Sequence, residues 1–221
     1  MRHSRNIPAL SAAECAALRG KTVAVIGCGG LGGYLIEYFA RIGVGALRCV
    51  DGDCFEESNL NRQLLSEVSN LGMNKAEAAL RRIRAIDPEV RAEAYPIFLD
   101  AENAAQLISG CDAVVDALDG IEARRILARA CKAASIPYVY GAISGWVAQA
   151  AVCMPEDELI DKLYPEEVHL LDKSALSFTP ALCAAMQAAL CVRLLAGRGV
   201  QSGKLHYADL LYGEYEQILL K

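Results

Sequence analysis

The segment VAVIGCGGLGG at residues 23–33 constrains the fold more than any other part of the sequence. An apolar, β-branched run ends at Gly27, and residues 30–42 then carry apolar side chains at helical spacing, as in a buried strand that turns directly into a helix. Gly27, Gly29 and Gly32 have G-x-G-x-x-G spacing. The first glycine permits a tight turn, the second lets a phosphate approach the backbone, and the third lets helix and strand pack closely. The segment therefore predicts a nucleotide-binding loop on an α/β fold.

The rest of the chain repeats this alternation of strands and helices. Such alternation implies βαβ units with right-handed crossovers, so we expect an α/β fold with a Rossmann-like, mostly parallel sheet flanked by helices. Two strand candidates around a Tyr-Gly turn predict a C-terminal antiparallel strand pair. The predicted strands cover residues 22–26, 46–50, 90–97, 113–117, 137–143, 147–154, 204–208 and 215–220, and the predicted helices cover 30–42, 75–86, 101–108, 121–134 and 179–196.

The length allows one large α/β domain or two small ones, and the sequence shows no internal repeat or low-complexity linker that would divide it. The 221 residues are 54% apolar and 22% charged, which is enough to bury a sizeable core. We expect a single domain over residues 1–221, with an N-terminal arm at 1–20 and a nucleotide-binding core at 21–154. An acidic, aperiodic crossover segment follows at 155–178, and a C-terminal helix and strands complete the domain at 179–221.

The net charge and the length of the apolar stretches argue against nucleic acid and membranes as partners. The net charge is −5 and no extended basic face stands out, so nucleic-acid binding is not expected. The N-terminal segment lacks the apolar core of a signal peptide. Gln187 and Arg193 interrupt the longest apolar stretch, at 181–196, which therefore falls short of a membrane span. We expect a cytoplasmic protein with no membrane contact.

The nine cysteines include no CxxC pair. Structural zinc sites normally use close cysteine pairs, and secreted disulfide scaffolds are shorter and richer in cysteine. We therefore expect free, mostly buried thiols and no zinc. Cys183 and Cys191 lie eight residues apart on a predicted helix, and packing explains that spacing better than a reactive thiol does.

Charged residues after the glycine loop narrow the choice of nucleotide. Asp51 ends the second predicted strand, where a carboxylate can accept a ribose hydroxyl. The loop and Asp51 suit NAD as well as ATP. Arg62 and Lys75 favour ATP, because a triphosphate that expels pyrophosphate needs fixed cations at its β- and γ-phosphates.

Six segments, in order along nearly the whole chain, resemble the ThiF/MoeB/HesA family, the bacterial relatives of ubiquitin-activating enzymes. The resemblance implies an adenylyltransferase that acts on the C-terminal Gly-Gly carboxylate of a small ubiquitin-like sulfur-carrier protein and releases pyrophosphate. It also implies ATP and Mg²⁺ as cofactors and a homodimer with two sites. The segments are RHSRN at 2–6, GCGGLGG at 27–33, VDGDCFEESNLNRQ at 50–63, GMNKAEAA at 72–79, DALDG at 116–120 and YGAISG at 140–145.

The resemblance also assigns roles to single residues. The implied catalytic set is Arg62, Lys75, Asp119 and Arg5, with Arg5 reaching in from the partner subunit. Asp119 would hold Mg²⁺, which suits a hard oxygen ligand at the carboxyl edge of a sheet, although it has a second interpretation as the cap of the helix predicted from residue 121. The implied nucleotide-binding set is Gly27, Gly29, Gly30, Leu31, Gly32, Asp51, Asp53, Asn59, Arg62, Gln63, Lys75 and Asp119.

The sequence departs from the family pattern at several points. Gly120 stands where many relatives have Asn, and residues 155–173 contain no cysteine for a thioester. Trp146 is a candidate wall of the channel for the adenylated tail. Three other functions stay open: adenylation of another acceptor (a peptide or a tRNA base), an NAD-dependent oxidoreductase, and a non-catalytic dimeric scaffold.

Overall fold

The computed structural model describes residues 2–165 and 174–220. Eight strands form one sheet, with the spatial order β3-β2-β1-β4-β5-β6-β7-β8. The strands are β1 Thr22–Ile26, β2 Ala46–Val50, β3 Arg91–Tyr95, β4 Ala113–Asp116, β5 Tyr138–Ser144, β6 Val147–Cys153, β7 Lys204–Asp209 and β8 Glu214–Leu219. The helices are α1 Ala12–Arg19, α2 Gly30–Ile42, α3 Lys75–Ile86, α4 Ala104–Ile108, α5 Ile121–Ala134, α6 Leu159–Leu163 and α7 Phe178–Leu195.

The five strands from β3 to β5 are parallel, and β1 lies at their centre. Val23 and Val25 of β1 pack into the core on one face of the sheet, and Ala24 and Ile26 pack into the core on the other. Because both faces of β1 are buried, the strand reads as a continuous apolar run. The chain winds outward in both directions from β1, so the strand order reverses between β1 and β4 and leaves a crevice at their carboxyl ends.

The remaining strands are antiparallel. β5 pairs with β6, β6 with β7 and β7 with β8, all in antiparallel register. The predicted mostly parallel sheet and the C-terminal antiparallel pair are therefore confirmed, and the antiparallel part extends back to the hairpin between β5 and β6. That hairpin turns at Gly145, whose φ of 54° favours glycine.

Helices cover both faces of the sheet. Residues of α1, α2, α3 and α7 pack into one core, and residues of α4, α5 and α6 pack into the other. This doubly wound arrangement follows from right-handed crossovers between parallel strands. All nine cysteines lie in the described ranges as free thiols, and seven of them are buried, as expected.

Several predicted boundaries shift for local reasons. The third strand is shorter than predicted and ends at Tyr95, because Pro96 has no N–H for the ladder. The helix predicted from residue 101 begins at Ala104, because Asp100 accepts hydrogen bonds from the N–H groups of Glu102 and Asn103 and holds them in a turn.

The N-terminal arm contains a helix that the sequence analysis missed. Ser11 and Glu14 form a capping box at the start of α1, and the S-x-x-E spacing that signals it was present in the sequence. In the crossover segment the structure describes α6, while residues 166–173 lie outside the described residues.

The helix α7 is a core element of the sheet. By length and composition alone, α7 is the one helix of the described ranges that could cross a membrane, whereas the sequence analysis expected this stretch to fall short of a membrane span. More than half of α7 is buried inside the structure, as in a core helix. Gln187 donates hydrogen bonds to the carbonyls of Asp116 (2.7 Å) and Val139 (3.2 Å). Cys183 and Cys191 are fully buried, which confirms packing, and burial raises the pKa of each thiol to about 12.

The contact between α7 and β5 depends on the absence of a side chain at Gly141. A Cβ atom there would lie 2.1 Å from Cδ of Gln187, which two hydrogen bonds hold in place. We expect Gly141→Ala to lower the free energy of unfolding in urea by about 1–3 kcal/mol, the usual cost of overpacking.

Gly199→Ala is the matched control, because a Cβ atom at Gly199 meets nothing within 4 Å. It should change the free energy of unfolding by less than about 0.5 kcal/mol. Equal stability of the two variants would contradict the assigned packing of α7.

Candidate nucleotide-binding site

A cavity of about 340 Å³ lies at the carboxyl ends of the parallel strands. Its size falls within the roughly 300–1,000 Å³ that is typical of small-molecule sites. The loops that follow β1, β2, β3 and β4 all contribute to its wall, as does β5 itself. The residues predicted from the sequence that line it are Gly27, Gly29, Gly30, Leu31, Asp51, Asp53, Arg62, Gln63, Lys75 and Asp119.

The glycine loop brings the first turn of α2 against the end of β1. Gly27 has a φ of 95°, and a Cβ atom on it would lie 2.5 Å from the carbonyl oxygen of Ala117. A Cβ atom on Gly32 would lie 1.9 Å from the carbonyl oxygen of Gly27. Gly29 is the N-cap of α2 and offers no capping side chain. The unpaired N–H groups at this helix start are therefore available to an anion in the cavity.

Asp51 follows β2 and ties it to the glycine loop. One carboxylate oxygen accepts the N–H of Cys28 (2.7 Å), and the other accepts the N–H of Asp53 (2.8 Å). Burial raises the pKa of Asp51, while the two N–H groups and the charge of Lys75 oppose that shift. A carboxylate oxygen has two lone pairs, so each oxygen keeps one for a hydroxyl group in the cavity.

Lys75 begins α3 and lies beside Asp51 and Asp53. The side chain of Asn74 caps α3 and donates to the carbonyls of Asp51 and Asp53, which attaches the helix start to the loop after β2. The Nζ atom of Lys75 is 3.0 Å from a carboxylate oxygen of Asp53. The Lys75 side chain is only 8% exposed, whereas that of Asp53 is 55% exposed, so an entering anion can displace Asp53 and take over the ammonium group.

Arg62 and Gln63 form a polar wall between β2 and α3. One guanidinium nitrogen of Arg62 donates to the Ser58 carbonyl (3.0 Å) and to Asn61 (2.8 Å). Gln63 is buried beside Gly29, and its Oε1 is the one buried side-chain polar atom in the described part of the chain with no hydrogen-bond partner. Such an atom calls for a donor such as water. Because Oε1 is buried, it is not open to a molecule in the cavity, and Gln63 lines the cavity through its other atoms.

Asn59 does not reach the cavity. Its buried side chain accepts the N–H of Glu56 (3.1 Å) and closes the turn Glu57–Asn59. The short Asn59 side chain bonds within its own loop. The structure therefore does not place Asn59, which was predicted to contact the triphosphate, with the other site residues. Gly32 also stays outside the lining, because it packs against Gly27.

Asp119 is exposed at the cavity, just after β4. The N-cap of α5 is Gly120, with no side-chain cap, so the interpretation of Asp119 as the cap is wrong. No hydrogen bond or ion pair occupies the Asp119 carboxylate among residues 2–165 and 174–220, which leaves it fit to coordinate a hard cation.

Sequence reasoning missed two parts of this cavity. Arg124 of α5 lines it although it is 96% buried, and its ion pair with Asp116 is 2.8 Å long. The spacing of Arg124, Leu127 and Cys131 on the buried face of α5 was the signal that could have found it. The second missed part is Phe98, which also lines the cavity. Its ring lies against Gly52, where a Cβ atom would be 2.6 Å from the ring. With its neighbours Ile97 and Leu99 it gives the cavity an apolar wall that suits a flat heterocycle.

Arg5 and Trp146 lie outside the cavity lining. His3 contacts the Arg41 carbonyl and Asp87, and Asn6 donates to the Ile42 carbonyl, so the arm is attached at the far ends of α2 and α3. These helices start at the cavity, and the 13 residues of α2 make it roughly 20 Å long at 1.5 Å per residue. Exposed Arg5 therefore lies at the opposite edge of the sheet. Trp146 packs against Phe178, with ring centroids 5.1 Å apart.

The chain is similar to a family of adenylyltransferases along nearly its whole length. A family model described as the ThiF family matches residues 3–221. The SAMP-activating enzyme E1 of Haloferax volcanii is 33% identical over 203 residues, which cover 89% of this chain and 75% of that protein. The sulfur carrier protein adenylyltransferase of Thermus thermophilus is 40% identical over 135 residues, 61% of this chain and 50% of that protein.

Further similarities support the same fold. The probable adenylyltransferase/sulfurtransferase MoeZ of Mycobacterium tuberculosis is 32% identical across the whole chain, which spans 60% of MoeZ. The crystal structure of Escherichia coli MccB with AMPCPP and MccA superposes with a TM-score of 0.84 over 99% of this chain and 71% of that one, at 20% identity. The chain thus spans half to three quarters of the curated relatives named here.

The position of Lys75 leads to a prediction about phosphate binding. We expect Lys75→Met to weaken ATP binding by roughly 10- to 100-fold, the value of a charge-assisted hydrogen bond, and to weaken AMP binding much less. Isothermal titration calorimetry with both nucleotides measures the difference.

Lys21→Met is the matched control, because Lys21 also pairs with an aspartate, Asp112, but does not line the cavity. It should leave the affinity for both nucleotides unchanged. An equal loss of ATP and AMP affinity in Lys75→Met would contradict a role at the polyphosphate.

Proposed function

The chain belongs to the ThiF family, and we propose that it uses ATP to adenylate the C-terminal Gly-Gly carboxylate of a small ubiquitin-like sulfur-carrier protein. One observation carries this proposal: the glycine loop, Asp51, Arg62, Lys75 and Asp119 line a single cavity at the point where the strand order reverses. Relatives whose names specify sulfur-carrier adenylation and SAMP activation support the choice of acceptor.

The reaction needs positioning and charge more than proton transfer. A carboxylate is already ionised at pH 7, so its oxygen attacks the α-phosphorus directly, the bond to the β-phosphate oxygen breaks, and pyrophosphate leaves. Arg62 and Lys75 offset the charge that develops on the pyrophosphate, and the N–H groups at the start of α2 hold the phosphates. Asp51 accepts a ribose hydroxyl, and Gln63 forms part of the cavity wall beside Gly29.

Asp119 is the residue that would hold magnesium. A bound Mg²⁺ ion supplies further positive charge at the phosphates. The exposed carboxylate of Asp119, which caps no helix, suits this purpose. No zinc is part of the proposal.

We also propose a homodimer in which Arg5 enters the partner's cavity. The arm is attached at the edge of the sheet opposite to its own cavity, so Arg5 cannot complete its own site. A permanently charged guanidinium is suited to a phosphate contact across a subunit interface.

We propose that the four segments expected from the sequence, at 1–20, 21–154, 155–178 and 179–221, form one cytoplasmic adenylation domain.

The other functions make different predictions. An NAD-dependent oxidoreductase leaves the two cations Arg62 and Lys75 in the cavity without a shared purpose. A non-catalytic scaffold would bind no nucleotide. A peptide or tRNA-base acceptor would preserve ATP binding but not exchange with a sulfur carrier.

The first prediction of this proposal concerns ATP–pyrophosphate exchange. With Mg²⁺ and a cognate Gly-Gly carrier we expect exchange that disappears when the terminal glycine of the carrier is deleted. Asp119→Ala should abolish exchange and keep the circular dichroism spectrum of the folded protein, while Asp161→Ala, an exposed acid on α6, should keep full activity. Full activity of Asp119→Ala would rule out the magnesium assignment.

The second prediction concerns the dimer. Arg5→Ala and Asp119→Ala should each be inactive, because each variant spoils both sites. After subunit exchange in an equal mixture, half of the dimers are mixed and each carries one intact site, so about a quarter of the wild-type exchange activity should return. Full activity of Arg5→Ala, or no recovery in a mixture that contains mixed dimers, would contradict the shared site.

A further inference from the structure

The proposed mechanism leaves one charged pair at the cavity unused. Arg124 and Asp116 are 96% and 100% buried and form an ion pair of 2.8 Å. Tyr138 donates its hydroxyl to the same carboxylate at 2.5 Å. Burying two charges is costly, and the net contribution of such a pair to stability is often small. The backbone groups that the pair contacts suggest a different purpose.

The pair holds the peptide groups on both sides of Leu118. The Leu118 N–H donates to Asp116 at 2.8 Å, and the Leu118 carbonyl accepts a short hydrogen bond from the second guanidinium nitrogen of Arg124. The next residue along the chain is Asp119. Both hydrogen bonds therefore act on the backbone immediately before that carboxylate.

Arg124 also reaches the opposite wall of the cavity. The nitrogen that meets Asp116 donates to the carbonyl of Gly141 (2.8 Å), next to the cavity residues Ala142 and Ile143 of β5. The guanidinium lies 5.3 Å from the ring centroid of Tyr140 and 5.9 Å from that of Tyr164. A planar group held in this way joins two walls, which a point-charged lysine ammonium cannot do with the same geometry.

We infer that Arg124 is a positioning residue which, with Asp116, fixes the Leu118 backbone so that Asp119 is presented to the metal at a set distance from β5. The inference rests on the proposed function, because it assumes that Asp119 holds Mg²⁺. Groups that support a metal ligand typically change metal affinity by about 10- to 100-fold. Arg124 touches no reacting atom in this assignment.

Arg124→Lys tests the inference because it keeps the positive charge and removes the planar guanidinium group, whose two terminal nitrogens donate to the Leu118 and Gly141 carbonyls. We expect the Leu118 amide to exchange with deuterium at least about tenfold faster by NMR, with unchanged exchange in the central strand β1. Mg²⁺ should tighten the binding of α,β-methylene-ATP to the wild type, and this gain should fall about tenfold in Arg124→Lys. Binding in EDTA should not change.

Arg129→Lys is the matched control: the same substitution, on the same helix, at an exposed residue outside the cavity. It should alter neither measurement. If Arg124→Lys does not fold, Arg124→Met combined with Asp116→Leu removes both charges together, a replacement that is often neutral for stability, and should lose the same metal-dependent gain.

The outcomes separate this inference from the proposed function. Unchanged deuterium exchange at the Leu118 amide in Arg124→Lys would show that Arg124 does not hold this backbone. Faster deuterium exchange with an unchanged metal-dependent gain would overturn the positioning role of Arg124. A wild type without any metal-dependent gain also overturns that role. A wild type that shows this gain but catalyses no ATP–pyrophosphate exchange with any carrier refutes the proposed acceptor and leaves the positioning role of Arg124 supported.

Discussion

No side chain fits between the end of β1 and the first turn of α2, since a Cβ atom on Gly32 would lie 1.9 Å from the carbonyl oxygen of Gly27. This approach points the start of α2 at the crevice beside the central strand. Gly27 needs its positive φ for the same turn, and it packs against Ala117 at the end of β4. The two strands on either side of the switch point are thereby held together, and every other wall of the cavity is built around them.

The cations at the cavity differ in how firmly they are held. Lys75 is paired with the exposed Asp53, so its ammonium group can exchange one anion for another. Arg124 is paired with the fully buried Asp116, and two of its guanidinium nitrogens also donate to the backbone carbonyls of Gly141 and Leu118. The first arrangement suits a group that binds a ligand, and the second suits a group that shapes the backbone around the ligand. Burial of the partner decides between the two.

The N-terminal arm lies at the edge of the sheet opposite the cavity. His3 and Asn6 attach it where α2 and α3 end, far from the cavity at which both helices begin. In the proposed dimer, Arg5 on this arm enters the cavity of the other copy. The parallel order of β1 and β2 sets the direction of α2, and this direction separates the arm from the cavity of its own chain, which is the observation that supports the proposed dimer.

The sequence by itself determined the elements whose signals are local. The helices at 30–42, 75–86 and 121–134 and the strands at 22–26 and 46–50 have the predicted bounds, because periodicity and glycine turns act within a few residues. Motif spacing and charge, together with the resemblance to a family, supplied ten of the residues that line the cavity. Only the tertiary structure decided that the Asn59 side chain bonds within its own turn and that the Gln63 side-chain oxygen has no hydrogen-bond partner among the described residues. It also decided that Arg124 donates to carbonyls on two walls of the cavity, at Leu118 and at Gly141. These facts depend on which distant groups meet and how much water is excluded, and neither is encoded in the spacing of neighbouring residues.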